Sequence, residues 1–261
     1  MYDWLTANKL TLNIKKTNFV IFCPAKKKLT YYPRLTLFDN EINERLALER
    51  KEFVRYLGII IDNHLSWKHH IDHVAIKISH TIGLISKVRH FVPKTTLLNI
   101  YHSLVTPYLT YGLLVWGQAS NSYLEKLLKL QKRALHLIYF SDHYQHAVPL
   151  FTDARVLPIQ FTYYELIANL MFDIRHNNAP CNIRDLFQDV SDIHSYNTRS
   201  STNNNFYKPS SRLSIQLNSF SRIGTKVWNE MPQKLRHLKK HEFKKEIRKK
   251  LFNILTNEDS Y

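Results

Sequence analysis

The sequence predicts an α+β fold, a small antiparallel N-terminal sheet followed by a mainly α-helical remainder. Three observations predict it. Short β-branched and aromatic runs broken by turn chemistry are confined to residues 1–62, whereas from Ser66 onward apolar residues recur at three- and four-residue steps. At 261 residues and 44% hydrophobic, the chain can bury one substantial core or two small ones.

Taken in order, "DWLTANKLTLN" spaces Trp4, Leu5 and Leu10 for a short helix ending near Asn8 or Lys9. The strand signals are "NFVIF", "RLTLF" with a turn at Asp39-Asn40, and "FVRYLGIIID", whose Leu57, Ile59 and Ile61 read as one inward face. Ser66 suits the N-cap of a helix carrying Trp67, Ile71, Val74, Ala75, Ile78, Ile82 and Ile85 on one face. Pro93 can open the next helix, and Pro107 stops or kinks it, because its ring removes a donor and crowds the preceding turn. "SYLE" reads as a capping box of Ser122 and Glu125, opening a helix with Leu124, Leu127, Leu128, Leu135 and Ile138 inward and Lys126, Lys129, Lys132 and Arg133 outward. Pro158 suits the first position of an aromatic-rich helix packed through Ile159, Leu166, Ile167 and Leu170. Residues 191–222, rich in Ser, Asn and Arg, read as an extended loop or short irregular strands. The last helix sets Phe243, Ile247, Leu251 and Ile254 on one stripe amid the basic residues from Lys239 to Lys250. The expected division is 1–62, 63–150 and 151–261.

Lys and Arg number 37 against 21 Asp and Glu, a formal charge of +16. Such a surface attracts polyanions, so nucleic acid is the expected partner and an anionic membrane the second. Cys23 and Cys181 make no disulfide framework and have no metal-ligand spacing, which fits a reducing compartment. No apolar run approaches the ~20 residues that span a bilayer. Asp3, Lys9 and Lys15 interrupt the place of a signal-peptide core, so an intracellular protein, in cytoplasm or nucleus and not secreted, is expected. The "KKK" at 26–28 reads as a solvated turn rather than a nuclear signal.

Several chemistries are excluded by pattern. Gly112 and Gly117 have P-loop spacing, but Gln118 and Ala119 stand where Lys and Ser or Thr are required. No dinucleotide fingerprint and no Gly-x-Ser-x-Gly nucleophile motif occurs. His69 and His73 are four apart with His70 between them, yet "HHIDH" lacks the glutamate of a zincin, so these read as surface or phosphate-facing groups rather than metal ligands. No adjacent Asp pair falls on a strand signal, whereas two-metal phosphoryl transfer needs converging carboxylates; Asp39 and Asp62 read as turn or capping residues.

Three stretches, "WLTANKLTLNIKKTNFVIF" at 4–22, "VRYLGIIIDNHLSWKHHI" at 54–71 and "LLNIYHSLVTPYLTYGLLVWG" at 97–117, resemble the latter part of a reverse transcriptase from a non-LTR retrotransposon of the jockey-like LINE group. "LEKLLKLQKRALHLI" at 124–138, "HSYNTRS" at 194–200 and "GTKVWNEMPQKLR" at 224–236 resemble the C-terminal extension of the same elements. The resemblance implies a palm edge, a primer-grip-like hairpin, a helical thumb at 63–150 and a C-terminal extension. It matches Asn13, Lys16 and Thr17 to a palm loop whose lysine approaches nucleotide phosphates, with Lys16 a possible vestigial general acid. It matches Tyr56, Leu57 and Gly58 to the primer grip. In the thumb reading, Lys126, Lys129, Lys132 and Arg133 contact RNA, DNA or a hybrid duplex through phosphates, and Lys244, Lys245 and Arg248 extend that face. The family's catalytic aspartates lie a few dozen residues before the Asn-x-x-Lys-Thr loop, so the chain is expected to start too late to contain them. The complete family enzyme uses Mg²⁺; this chain is expected to hold no cofactor and to bind nucleic acid without polymerising alone.

Overall fold

A computed structural model describes residues 2–10, 13, 16–24, 31–39, 44–142, 144–193, 196, 198–210 and 214–258. The basic run at 26–28, Lys15, Asn40 of the expected turn, and positions 194, 195 and 197 of "HSYNTRS" lie outside the described residues. The chain forms two compact units, Met1–Asp72 and His73–Tyr261.

In the first unit α1 (Tyr2–Ala7) ends where the Asn8 side-chain Nδ2 donates back to the Trp4 carbonyl at 2.7 Å. Six short strands follow: β1 (Asn18–Phe19), β2 (Thr36–Asp39), β3 (Glu44–Ala47), β4 (Glu49–Arg50), β5 (Phe53–Tyr56) and β6 (Ile59–Asp62). Among the described residues they pair as three separate two-stranded ladders. Two are antiparallel hairpins, β2 with β3 and β5 with β6, the latter dividing the run read as one strand; the third, β1 with β4, is parallel. "NFVIF" contributes only its first two residues to a strand.

The β5–β6 connection is a two-residue turn with Leu57 at φ 46° and Gly58 at φ 84°. Both central positions of such a tight hairpin need left-handed backbone to match strand twist. Leu57 is therefore lifted out of the strand and is 71% exposed, so it does not share an inward face with Ile59 and Ile61.

At the end of β6 the buried Asp62 carboxylate gathers the chain. It accepts from the amides of His64 (3.1 Å), Ser66 (3.0 Å) and Trp67 (2.9 Å) and from the Ser66 hydroxyl (3.2 Å). Burial pushes its pKa up, but these donors outweigh burial and hold the carboxyl below its ordinary range. The turn leaves Trp67 at φ 64°, a strained setting offset by packing, since its side chain is only 5% exposed. Ser66 then accepts from the Lys68 amide at the start of α2 (Lys68–Val88).

The second unit is helical. Val74, Ala75, Ile78, Ile82 and Ile85 of α2 are all buried, as their period predicts. Extended Pro93 precedes α3 (Lys94–Leu104), and Pro107 sits in the first turn of α4 (Thr106–Thr110), a break rather than a kink. Gly112, at φ 63°, redirects the chain into α5 (Leu113–Trp116), and a Cβ on Gly117 would collide with the Tyr163 ring. Gly112 is thus a turn residue and Gly117 a packing residue.

The helix α6 (Asn121–Tyr139) starts after extended Ser120, which places Ser122 inside the first turn and Glu125 beyond it. The expected capping box is therefore absent; the Ser122 hydroxyl meets that of Ser120 at 3.0 Å instead. Leu124, Leu127, Leu135 and Ile138 are buried as predicted.

After α7 (Val148–Asp153), α8 (Ile159–Arg175) follows Pro158 and touches α4, α5, α6, α13 and α15, making it the hub of this unit. After α9 (Cys181–Arg184), the short helices α10 (Val190–Ile193), α11 (Arg199–Thr202) and α12 (Ser214–Leu217) fall in or at the edge of the stretch 191–222 read as a loop, and Asp189 bridges to Phe206. They are one-turn elements, too short for a period to reveal. The chain ends in α13 (Phe220–Asn229), α14 (Gln233–Arg236) and α15 (Lys240–Glu258). Phe243 and Ile247 of α15 are buried, but the stripe continues through Leu255 rather than the exposed Ile254.

Two polar knots sit in this apolar interior. Buried Gln131 donates to the Tyr101 hydroxyl (3.1 Å) and the Leu157 carbonyl (3.3 Å) and accepts from the Ile159 amide (2.9 Å), joining α3, α6 and the entry to α8. Burial pushes the Tyr101 pKa up to about 12, the Gln131 bond lowering it in part, so its hydroxyl stays protonated. Buried Arg236 donates to the carbonyls of Met231 (3.1 Å), Asn203 (2.8 Å) and Asn229 (3.1 Å) and to the Asn205 side chain (2.9 Å).

Candidate nucleic-acid interface

Asn13 is tied to Lys16 and Thr17 of the Asn-x-x-Lys-Thr motif. Its carbonyl accepts from the amides of Lys16 and Thr17 (both 3.1 Å) and from the Thr17 hydroxyl (2.9 Å), and its side-chain oxygen accepts from the Lys16 amide (3.1 Å). The Lys16 side chain stands exposed. Asn and Thr are needed here because short polar side chains can substitute for missing backbone partners in a tight turn. At the tip of the β5–β6 hairpin, Tyr56 and Leu57 are both exposed around Gly58.

In the helical unit, Lys126, Lys129 and Arg133 fall at i, i+3 and i+7 on α6, with Lys132 beside them, all exposed. Lys126 and Lys129 line a groove with Leu130 and with Ala75, Ile76, Ser79 and His80 of α2. The lining holds two ammonium groups, an imidazole and a hydroxyl, and no carboxylate. An open groove with apolar walls and cations at its rim suits a polyanionic backbone, because low-dielectric walls strengthen the attraction.

The basic residues of α15 divide. Lys244 and Lys245 are exposed. Arg248 donates to both carboxylate oxygens of Glu165 (3.1 Å each) and to the Arg155 carbonyl (2.8 Å), and Lys240 pairs with Asp173 at 2.8 Å. These two cations fasten α15 to α8 and its approach. Sequence reasoning grouped Arg248 with the outward cations because period alone does not reveal a partner distant in the chain.

The histidines do not gather. His69 stacks on Phe53 with ring centroids 4.8 Å apart, and the buried His70 ring accepts from the Ile60 amide at 3.3 Å, so both steady the β5–β6 hairpin. Among the described residues no three His, Cys, Asp or Glu side chains converge where a metal ion could be held. Among the same residues, no helix is long and apolar enough to cross a membrane.

Sequence reasoning missed Gln131, Arg236 and an aromatic and basic cluster where α2 and α6 end. Arg89 lies over the Phe140 ring at 4.6 Å, His90 meets it edge-on at 5.4 Å, and Lys94 lies over Tyr139 at 3.5 Å. The run "RHFVPK" from 89 to 94 supplies its cations and Phe91, but its other rings, Tyr139 and Phe140, come from a second helix end.

No family model matches the chain, and no solved structure does. Among curated proteins it is similar to the RNA-directed DNA polymerase from mobile element jockey of Drosophila melanogaster, 31% identical over 119 residues, covering 44% of this chain and 13% of that protein. It is also similar to the probable RNA-directed DNA polymerase from transposon X-element of the same organism, 21% identical over 161 residues, covering 60% of this chain and 17% of that protein. The matches therefore span less than a fifth of either relative's length. Both are retrotransposon polymerases of the group that the sequence motifs resemble.

Proposed function

We propose that this chain is a nucleic-acid-holding portion of a retrotransposon RNA-directed DNA polymerase, gripping RNA, DNA or their hybrid without joining nucleotides by itself. The observation that carries the reading is the α2–α6 groove, cationic at Lys126 and Lys129 and free of carboxylates along its lining. Its ammonium groups would meet phosphates, the sequence-independent part of nucleic-acid recognition. Lys16, tied to Asn13, would add a second phosphate contact of the kind the polymerase resemblance assigns it. Tyr56, Leu57 and Gly58 would present the hairpin tip to a primer end, and Lys244 and Lys245 would extend the field, while Arg248 would serve packing.

Fluorescence anisotropy against an RNA–DNA hybrid tests this. Affinity should fall steeply with salt, and Lys126→Glu with Lys129→Glu should flatten the log–log salt slope by about 2. An unchanged slope in the folded double variant would sink the groove as the contact. With Mg²⁺ and all four nucleotides, the same preparation should extend no primer; incorporation above a heat-killed control would overturn the non-polymerising half.

A further inference from the structure

We infer that the exposed cluster at the shared end of α2 and α6, built around Phe140 and Phe91, is a stacking platform for an unpaired stretch of nucleic acid. It deepens the nucleic-acid reading above and rests on it.

The first observation is conformational. Phe140 caps α6 at φ 54°, the left-handed position where helices ordinarily place Gly or Asn because a Cβ is strained there. Elsewhere in this chain Trp67 is buried in such a setting, Asn177 and Asn204 are the residue type that tolerates it and Leu57 holds the tight β5–β6 turn, while Lys9, Leu65 and Arg155 share it without burial. Phe140 is 51% exposed, so its strain is not offset by burying the ring. A glycine would end the helix more cheaply. A bulky apolar ring held in a strained position half in solvent points to a use for its face.

The second observation is what surrounds it. The Arg89 guanidinium lies over the Phe140 ring, and the His90 ring meets its edge. Arg89 Nε donates to His90 Nε2 at 3.2 Å, fixing the pair. Lys94, at the first turn of α3, sits over Tyr139. Between His90 and Lys94 the chain turns and presents Phe91 at 85% exposure. Asp153 is a carboxylate whose charge reaches Tyr139, but neither Arg89 nor His90 forms an ion pair with an acid among the described residues. Exposed rings interleaved with cations suit a chain of bases joined by phosphates, where each base has a stackable face and each linker a negative charge. A duplex hides its bases, so the occupant is single-stranded: an unpaired template segment or an overhang.

The test uses the full chain, a fluorescent oligouridylate and a blunt RNA–DNA hybrid. Phe140→Gly removes the ring and relieves the backbone, so its Tm should equal or exceed that of the wild type. Phe91→Ala changes an exposed turn residue and serves as a second variant. Each should weaken oligouridylate binding about tenfold while hybrid binding stays within error. Phe140→Trp should retain it. The inference is overturned if single-strand affinity is unchanged in either folded variant, if hybrid affinity falls in parallel, or if Phe140→Gly lowers Tm by several degrees, which would make the ring structural. Ring-dependent self-association with oligouridylate binding intact would assign the patch to protein contact and also overturn it. Wild-type binding to the hybrid but not to the oligouridylate sinks this inference alone; binding to neither sinks the broader reading with it.

Discussion

In His73–Tyr261 the interior is apolar and continuous, with Leu97, Leu113, Trp116, Leu127, Leu135, Ile167, Met171 and Phe243 wholly withdrawn from solvent around α8. In Met1–Asp72, among the described residues, the buried apolar side chains are Trp67 and Ile71, and the buried polar ones Asp62 and His70. The helical unit follows the hydrophobic effect; the strand unit is held by local hydrogen bonds at Asn13 and Asp62, because isolated two-stranded ladders are marginal in water. The difference teaches where to look for function. A region that keeps its shape by polar turns can leave Tyr56, Leu57 and Lys16 outward, whereas the helical unit can present cations on any surface its core does not need.

The comparison can be broken most sharply at Phe243. This ring packs 4.4 Å from that of Phe172, and Phe243→Ala should cost about 4 kcal/mol in urea unfolding of the helical unit. A cost below about 1 kcal/mol would mean that α15 is not part of the core.

The second handle is Asp62. Asp62→Ala strands the amides of His64, Ser66 and Trp67, and should cost about 2 kcal/mol locally, read as faster hydrogen exchange at Ser66 and Trp67 with little change in the helical unit. The pH dependence follows from the lowered pKa. The carboxyl titrates lower in the folded chain than its ordinary 3.8, so its contribution is complete above that pH and is lost as pH falls through the depressed value. The alanine variant should flatten that acid limb; an identical acid profile would remove Asp62 as its cause.

The smallest effect is expected at Asn13. Asn13→Ala keeps the carbonyl bonds and loses only the side-chain contact to the Lys16 amide, about 0.5 kcal/mol at an exposed turn. Exchange at Lys16 should quicken slightly, and no change would leave the backbone alone holding the turn.

The helical unit was largely legible because burial of one stripe imposes a period: on α6 Leu124, Leu127, Leu135 and Ile138 are buried, with Leu128 only half-buried. The exceptions are physical. Ser122 and Glu125 carry a capping pattern, but the chain becomes helical at Asn121, so the pattern lies inside the helix it was read to open. Leu57 fits a strand alternation that the hairpin turn interrupts. Gln131 and Arg248 look like surface polar residues because a sequence does not display carbonyls and carboxylates many residues away. Of the candidate site, Asn13, Lys16 and Thr17 were legible through motif resemblance, and Lys126 and Lys129 through charge. The Arg89–Phe140 cluster was not, because it joins two helix ends far apart in sequence.

The grip on Asn203 to Phe206 has a practical corollary. Gln233 and Arg236 take the Asn203 carbonyl, Trp228 reaches that of Asn204, and Asn229 holds the amide and carbonyl of Phe206. Only Asn203 is held through its main chain alone: Asn204 takes a left-handed backbone, the Asn205 side chain accepts from Arg236 and Phe206 is buried. An engineer guided by its asparagine-rich composition would choose this stretch for an epitope insertion, and would thereby pry apart a seam.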